Sequence, residues 1–212
     1  MTEAELPRWL EWAREIQSLA QTGLAHSEND FDARRYRRLA EIAAEIVSTQ
    51  SGLGQEATDR LLADFVAQPG YATPKIDVRG AVVQDGQILL VQERADERWC
   101  MPGGWADVGE CPSEAVVREV REESGFDVAP RKLLGVYDAN RGGRPLSFYH
   151  AYKIVILCEV TGGEARPSDE TLHVAFYPFG KLPPLSSNRT NARHLAEVQA
   201  HLEDPARLAT FD

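Results

Sequence analysis

The hydrophobic period of the chain changes near Pro69-Gly70, and this change limits the possible folds more than any other feature. Before it, Leu6, Trp9, Leu10, Ala13, Ile16, Leu19 and Ala20 recur at steps of three and four, the spacing of one helix face. A second helical pattern runs through Phe31, Tyr36, Leu39, Ile42, Ala43, Ile46 and Val47, with Asn29 or Asp30 suited to cap it. Ser51-Gly52-Leu53-Gly54 interrupts the pattern, and a shorter helix is expected from Glu56 to Ala67. About 65 residues of this kind make a small all-α domain with a marginal core, one that leans on a second domain or on another copy of itself.

After the change the reading is strand-like. Ile76 to Val83 is rich in β-branched residues, Asp85-Gly86 is a hairpin turn signal, and Ile88 to Gln92 supplies the partner strand. Leu133 to Tyr137, Ser147 to Val160 and His173 to Pro178 are further strands. Helices are expected near Pro112 to Ser124 and Asn191 to Glu203. The chain therefore reads as an α/β fold, a mixed sheet packed between helices, preceded by a small all-α domain. The expected domains are 1–69 and 70–212.

Composition narrows the function classes. With 23 Lys+Arg against 33 Asp+Glu the formal charge is 23 − 33 = −10, which disfavours non-specific nucleic-acid binding. Nothing approaches the roughly 18 consecutive apolar residues of a membrane span, and the first ten residues lack a secretion signal pattern. Cys100, Cys111 and Cys158 are an odd number with no Cys-x-x-Cys, which fits a reducing cytoplasm better than a disulfide framework or a zinc cage.

The chemistry concentrates in Gly104 to Phe126, GWADVGECPSEAVVREVREESGF. Pro112 suits the first turn of a helix and Gly125 the left-handed residue just past its end. Between them Glu119, Glu122 and Glu123 are spaced i, i+3, i+4, so their carboxylates share a face. Such a face is either solvated surface with helical salt bridges or a site where a cation offsets the mutual repulsion. Hard oxygen ligands favour Mg²⁺ or Mn²⁺. The upstream Pro102-Gly103-Gly104 turn, which allows close backbone approach, favours the second reading.

This stretch resembles the signature of the Nudix hydrolases, G-x5-E-x7-R-E-U-x-E-E-x-G-U, where U is a bulky aliphatic or similar residue. Gly104, Glu110, Arg118, Glu119, Val120, Glu122, Glu123, Gly125 and Phe126 fill it, with Phe126 a mild variation at the last place. The resemblance covers about Lys75 to Glu203. It implies a Nudix α/β/α sandwich and hydrolysis of a nucleoside diphosphate linked to another group. It also implies that Glu119, Glu122 and Glu123, with the Gly104 carbonyl as a possible further ligand, bind the metal, and that Glu110 and Arg118 form a structural ion pair. A divalent ion neutralises phosphate oxygens and activates water for in-line attack at phosphorus. The proton goes to a carboxylate. Glu122 and Glu123 on the motif helix are catalytic candidates, and Glu123 is a candidate base. Glu170 is another, or else it is an ordinary exposed loop carboxylate.

The substrate is less legible. Arg79, on the first strand, and Arg141 and Arg144, flanking Gly142-Gly143, are candidate phosphate contacts, the last two being equally readable as solvated side chains. Tyr149, His150 and Tyr152 are candidate contacts for a base or a quaternary ammonium, or else core and structural residues of a strand. The two-part layout is similar to a Nudix subgroup with a helical N-terminal domain, linked with CDP-choline and ADP-ribose hydrolysis. The resemblance puts CDP-choline first, giving CMP and phosphocholine. ADP-ribose follows, giving AMP and ribose 5-phosphate, and an oxidised nucleoside triphosphate comes third. A homodimer is expected, with the N-terminal helices joining copies or completing the pocket. The competing class is a non-catalytic nucleotide-sensing Nudix module, disfavoured because all three glutamates are retained. The cluster Arg34-Arg35-Tyr36-Arg37-Arg38 is diluted by Glu41 and Glu45, so surface salt bridging is expected there.

Overall fold

A computed structural model describes residues 7–52, 55–67, 70–139 and 150–212. They fall into two compact units, which divide between Pro74 and Lys75, with His150 grouped with the first. The first unit contains α1 (Arg8–His26), α2 (Asp30–Ser51) and α3 (Gln55–Ala67). Asn29 caps α2 by accepting from the Asp32 N–H at 2.9 Å. Leu10, Ala13 and Ala20 of α1 are buried, as are Ala40, Ala43, Ala44 and Val47 of α2. Leu19, expected on the inner face, is exposed, as are Trp12 and Phe31. An inner surface made mostly of alanine gives this unit little apolar area to bury.

The second unit carries the sheet. Its strands are β1 (Lys75–Gln84), β2 (Gln87–Glu93), β3 (Trp99–Cys100), β4 (Phe126–Asp138), β5 (Ala151–Gly163), β6 (Thr171–Pro178) and β7 (Thr210–Phe211). Its helices are α4 (Pro112–Ser124) and α5 (Ala192–Glu203). The strand order is β3-β2-β1-β5-β4-β7, with β6 on β2. The sheet is mixed: β1 runs parallel to β5, and β4 parallel to β7. On one face Val116 and Val120 of α4 pack with Val78, Val82 and Ile156. On the other face Leu195 and Val198 of α5 pack with Ala81, Leu90 and Val155. Each buried valine, leucine or isoleucine among them contributes about 2 kcal/mol. Among the described residues no helix is long and apolar enough to cross a membrane.

Three differences from the sequence reading have physical causes. Strand β4 begins at Phe126 rather than Leu133. Pro130 argues against a regular strand there, but register shifts at Asp127/Val128, Pro130/Lys132 and Leu133/Gly135 absorb it. The two-residue strands β3 and β7 are too short to leave a periodic signal. The expected strand start at Ser147 lies outside the described residues, which resume at His150.

One detail of the sheet places the site. The β1–β2 hairpin turns at Asp85-Gly86, both with positive φ, and its strands are in register only at Val83–Ile88 and Gln84–Gln87. Further along, β2 pairs with β3 instead. The freed edge of β1 is taken by residues 102–106. Gly80 donates its N–H to the Pro102 carbonyl (2.8 Å), Val78 to that of Gly104 (2.8 Å), and Ala106 to that of Ile76 (3.0 Å).

Candidate active site

Helix α4 is bounded by its sequence. Pro112 begins it, Glu114 accepts the Cys111 N–H at 2.9 Å, and Gly125 closes it with φ 80° and an N–H donated to the Arg121 carbonyl. Its valines face the sheet, so its glutamates lie toward the 102–106 segment. Gly103 sits at φ 144°, and a Cβ there would meet the Val78 carbonyl oxygen at 2.0 Å, so only glycine permits this approach. Its N–H donates to the Glu123 carboxylate at 2.8 Å. A Cβ on Gly104 would meet a Glu119 carboxylate oxygen at 2.9 Å.

Arg118 organises the rest. It pairs doubly with Glu110, at 2.7 and 2.8 Å. It also reaches Glu119 at 2.9 Å, Glu122 at 3.1 Å and the Trp105 carbonyl at 3.2 Å. The Arg118 hydrogen bonds, then the Asp107 N–H, hold the Glu110 carboxyl down at about 2. The three expected metal glutamates have unlike surroundings. Glu123 is 5 % exposed, and burial pushes its pKa up to about 8. Burial also raises that of Glu119. Glu122 has a side chain 59 % exposed.

Among the described residues no three His, Cys, Asp or Glu side chains already converge as a metal cage, and Arg118 bridges Glu119 and Glu122. The donor set nevertheless fits a hard divalent ion. The buried Glu123 and the half-buried Glu119, both with raised pKa values, are groups whose burial cost a cation offsets. The Gly104 carbonyl already accepts from Val78 and has a second lone pair to offer.

A model of the NUDIX domain matches residues 74–198, and a model described as a UDP-X-like N-terminal oligomerisation domain matches residues 7–62. The chain belongs to the Nudix family. It is 42% identical over 205 residues, 97% of each chain, to a Bacillus subtilis protein provisionally named an ADP-ribose pyrophosphatase. It is 35% identical over 120 residues to the ADP-ribose pyrophosphatase of Methanocaldococcus jannaschii, covering 55% of this chain and 69% of that one. Among solved structures, a UDP-X diphosphatase aligns over 97% of this chain and 98% of its own at TM-score 0.62 and 28% identity. An ADP-ribose pyrophosphatase from Streptococcus suis aligns over 66% of this chain and all of its own, at TM-score 0.60 and 37% identity. This Nudix chain is a pyrophosphohydrolase, a member of a family that uses divalent metal and takes small nucleoside diphosphate derivatives.

The expected substrate contacts separate. Arg79 is not presented at the surface. It is 4 % exposed, doubly paired with Asp77 at 2.9 Å and 2.9 Å, and donates to the Met101 carbonyl at 3.3 Å. Period two along β1 puts Asp77 and Arg79 on one face, a signal the sequence already held. Arg141, Arg144 and Tyr149 lie outside the described residues. His150 is half-buried, and Tyr152 is exposed on β5. Glu170 is exposed at the entry to β6, and the next residue, Thr171, donates its hydroxyl to the Glu123 carbonyl at 2.9 Å.

The sequence reading missed several polar groups in the nearby interior. Lys153 is 2 % exposed, sits 3.2 Å from Asp77, and is lowered by burial to about 8. Glu93, buried at the end of β2, accepts from the Cys100 thiol at 3.1 Å and pairs with Arg189 at 3.2 Å. Thr190 accepts the Met101 N–H at 2.9 Å, which ties the loop before α5 to the glycine turn. Pairings across ninety residues leave no local pattern to read.

Proposed function

We propose that this Nudix enzyme hydrolyses ADP-ribose or a close nucleoside diphosphate sugar, giving AMP and ribose 5-phosphate in the ADP-ribose case. The observation that carries the reading is the buried carboxylate of Glu123 beside the half-buried one of Glu119, set against Gly103 and Gly104. The relatives named above point to ADP-ribose and UDP-X, so ADP-ribose moves ahead of CDP-choline, the first expectation. Glu119, Glu122, Glu123 and the Gly104 carbonyl would hold Mg²⁺ or Mn²⁺, which supplies charge neutralisation at the diphosphate and a more acidic water. Arg118, fixed by Glu110, holds Glu119 and Glu122 in place. Glu170 is the base: it is exposed, and its neighbour Thr171 ties the loop to Glu123. It removes the proton as the water oxygen bonds to phosphorus and the P–O–P bridge breaks. The N-terminal helical unit joins two copies into a homodimer.

The test is a panel of ADP-ribose, CDP-choline and a UDP-sugar, assayed with Mg²⁺ and with Mn²⁺ and with products identified. ADP-ribose should give the highest kcat/KM. Preference for CDP-choline would restore the earlier order, and no turnover of any member would favour a nucleotide-sensing module. Glu170→Gln should lower kcat by about 10²-fold or more, and a value within a few-fold of the unaltered enzyme removes Glu170 as the base.

A further inference from the structure

We propose that the Trp105 indole is the platform on which the substrate's nucleobase stacks. The proposal rests on the reading above and extends it to the organic part of the substrate. Trp105 follows Gly104 directly, and its backbone is fixed from both sides. Val78 donates to the Gly104 carbonyl and Ala106 to that of Ile76, so Asp77 and Trp105 form a non-hydrogen-bonded antiparallel pair. Side chains of such a pair lie close together on one face. The other edge of the 102–106 segment belongs to the carboxylate site. There Gly103 donates to Glu123, and the Trp105 carbonyl accepts from Arg118. The Trp105 backbone therefore borders the carboxylates on a rigid strand-like support, and its indole stands on the Asp77 face of that segment.

Burial singles it out. Trp105, Asp77, Lys153 and Tyr137 lie in register across four neighbouring segments of sheet. The last three are buried, whereas Trp105 is 47 % exposed. An open indole at the end of an enclosed row, beside a catalytic edge, is a surface suited to a flat ligand.

Charge selects the kind of flat ligand. An indole face by itself attracts cations. Behind this one, however, the single carboxylate of Asp77 is shared by Arg79 and Lys153, leaving a surplus of positive charge. A quaternary ammonium group would meet that surplus. A neutral heteroaromatic base with an anionic diphosphate tail would not.

The experiment uses the full chain in Mg²⁺ buffer. Tryptophan emission is followed while AMP, CMP or ribose 5-phosphate is added, and KM and kcat for ADP-ribose are measured alongside. AMP and CMP should quench the emission and ribose 5-phosphate should not. Trp105→Phe should abolish the quench although Trp9, Trp12 and Trp99 remain. Trp105→Ala should raise KM about tenfold or more, with the loss on KM rather than kcat, and Trp105→Phe should recover most of it. The proposal is overturned by a quench that survives Trp105→Phe, by one that ribose 5-phosphate reproduces, or by a KM unchanged in Trp105→Ala. Equal loss in the alanine and phenylalanine variants with a lowered Tm would also overturn it, by assigning the indole to covering Asp77. If the unaltered chain turns over no diphosphate, the functional reading fails, while AMP quenching still decides the role of Trp105.

Discussion

Helices α2 and α4 are both dense in arginine and glutamate, and they use that charge differently. On α2, Arg35 pairs with Asp32 at 3.3 Å, and Arg38 with Glu41 at 3.0 Å and Glu45 at 2.8 Å, all in solvent. On α4, Arg118 draws Glu110, Glu119 and Glu122 together, partly shielded, beside a glycine turn. The residue types and spacings are similar. What separates them is the 102–106 segment, which removes water from Glu119 and Glu123 and so makes their charge costly without a cation. Charge patterning alone identifies a charged helix; a nearby backbone that excludes solvent makes it a site.

Substitutions should separate the two helices in proportion to that shielding. Glu119→Gln should lower kcat/KM on the order of 10²–10³-fold, and isothermal titration should show weakened Mn²⁺ binding. Arg118→Ala should cost about 10–100-fold in activity, the range for groups that orient metal ligands, with Mn²⁺ affinity falling in parallel.

The Glu110–Arg118 pair should also leave a mark in acid. The folded Glu110 pKa lies below the unfolded value of 4.5, at about 2. Its contribution is therefore fully present above about pH 4.5 and lost as pH falls toward 2. The Tm difference between the unaltered chain and Glu110→Gln should be constant from pH 7 to 5 and shrink below 4.5 in thermal melts. A difference independent of pH would mean that the stabilisation does not come from the ionised carboxylate. The smallest effect is expected on α2, where Arg38→Ala should leave both the Tm and turnover essentially unchanged. A large loss there would mean that α2 is not ordinary solvated surface.

The regions differ, too, in how far their sequence foretells them. Helix α4 was readable end to end because Pro112, Gly125 and the i, i+3, i+4 glutamates are local signals. The hairpin at Asp85-Gly86 was readable for the same reason. Strand β4 was not, since its irregular register around Pro130 is tolerated only through pairing with β5. Arg79 on β1 illustrates the limit within the site: its side-chain type suggested a phosphate contact, and its register beside Asp77 and Lys153 made it an interior ion pair.

By itself the sequence determined the order of the helices and the longer strands, the bounds of the catalytic helix and the spacing of its carboxylates. Capping, turn and period preferences act over a few residues. The tertiary structure decided which of those carboxylates lose their water, which arginine turns inward, and which indole stays open. Those outcomes depend on residues 102–106 occupying the freed edge of β1, a pairing between segments about 25 residues apart that hydrogen bonding and packing settle only when the sheet is assembled.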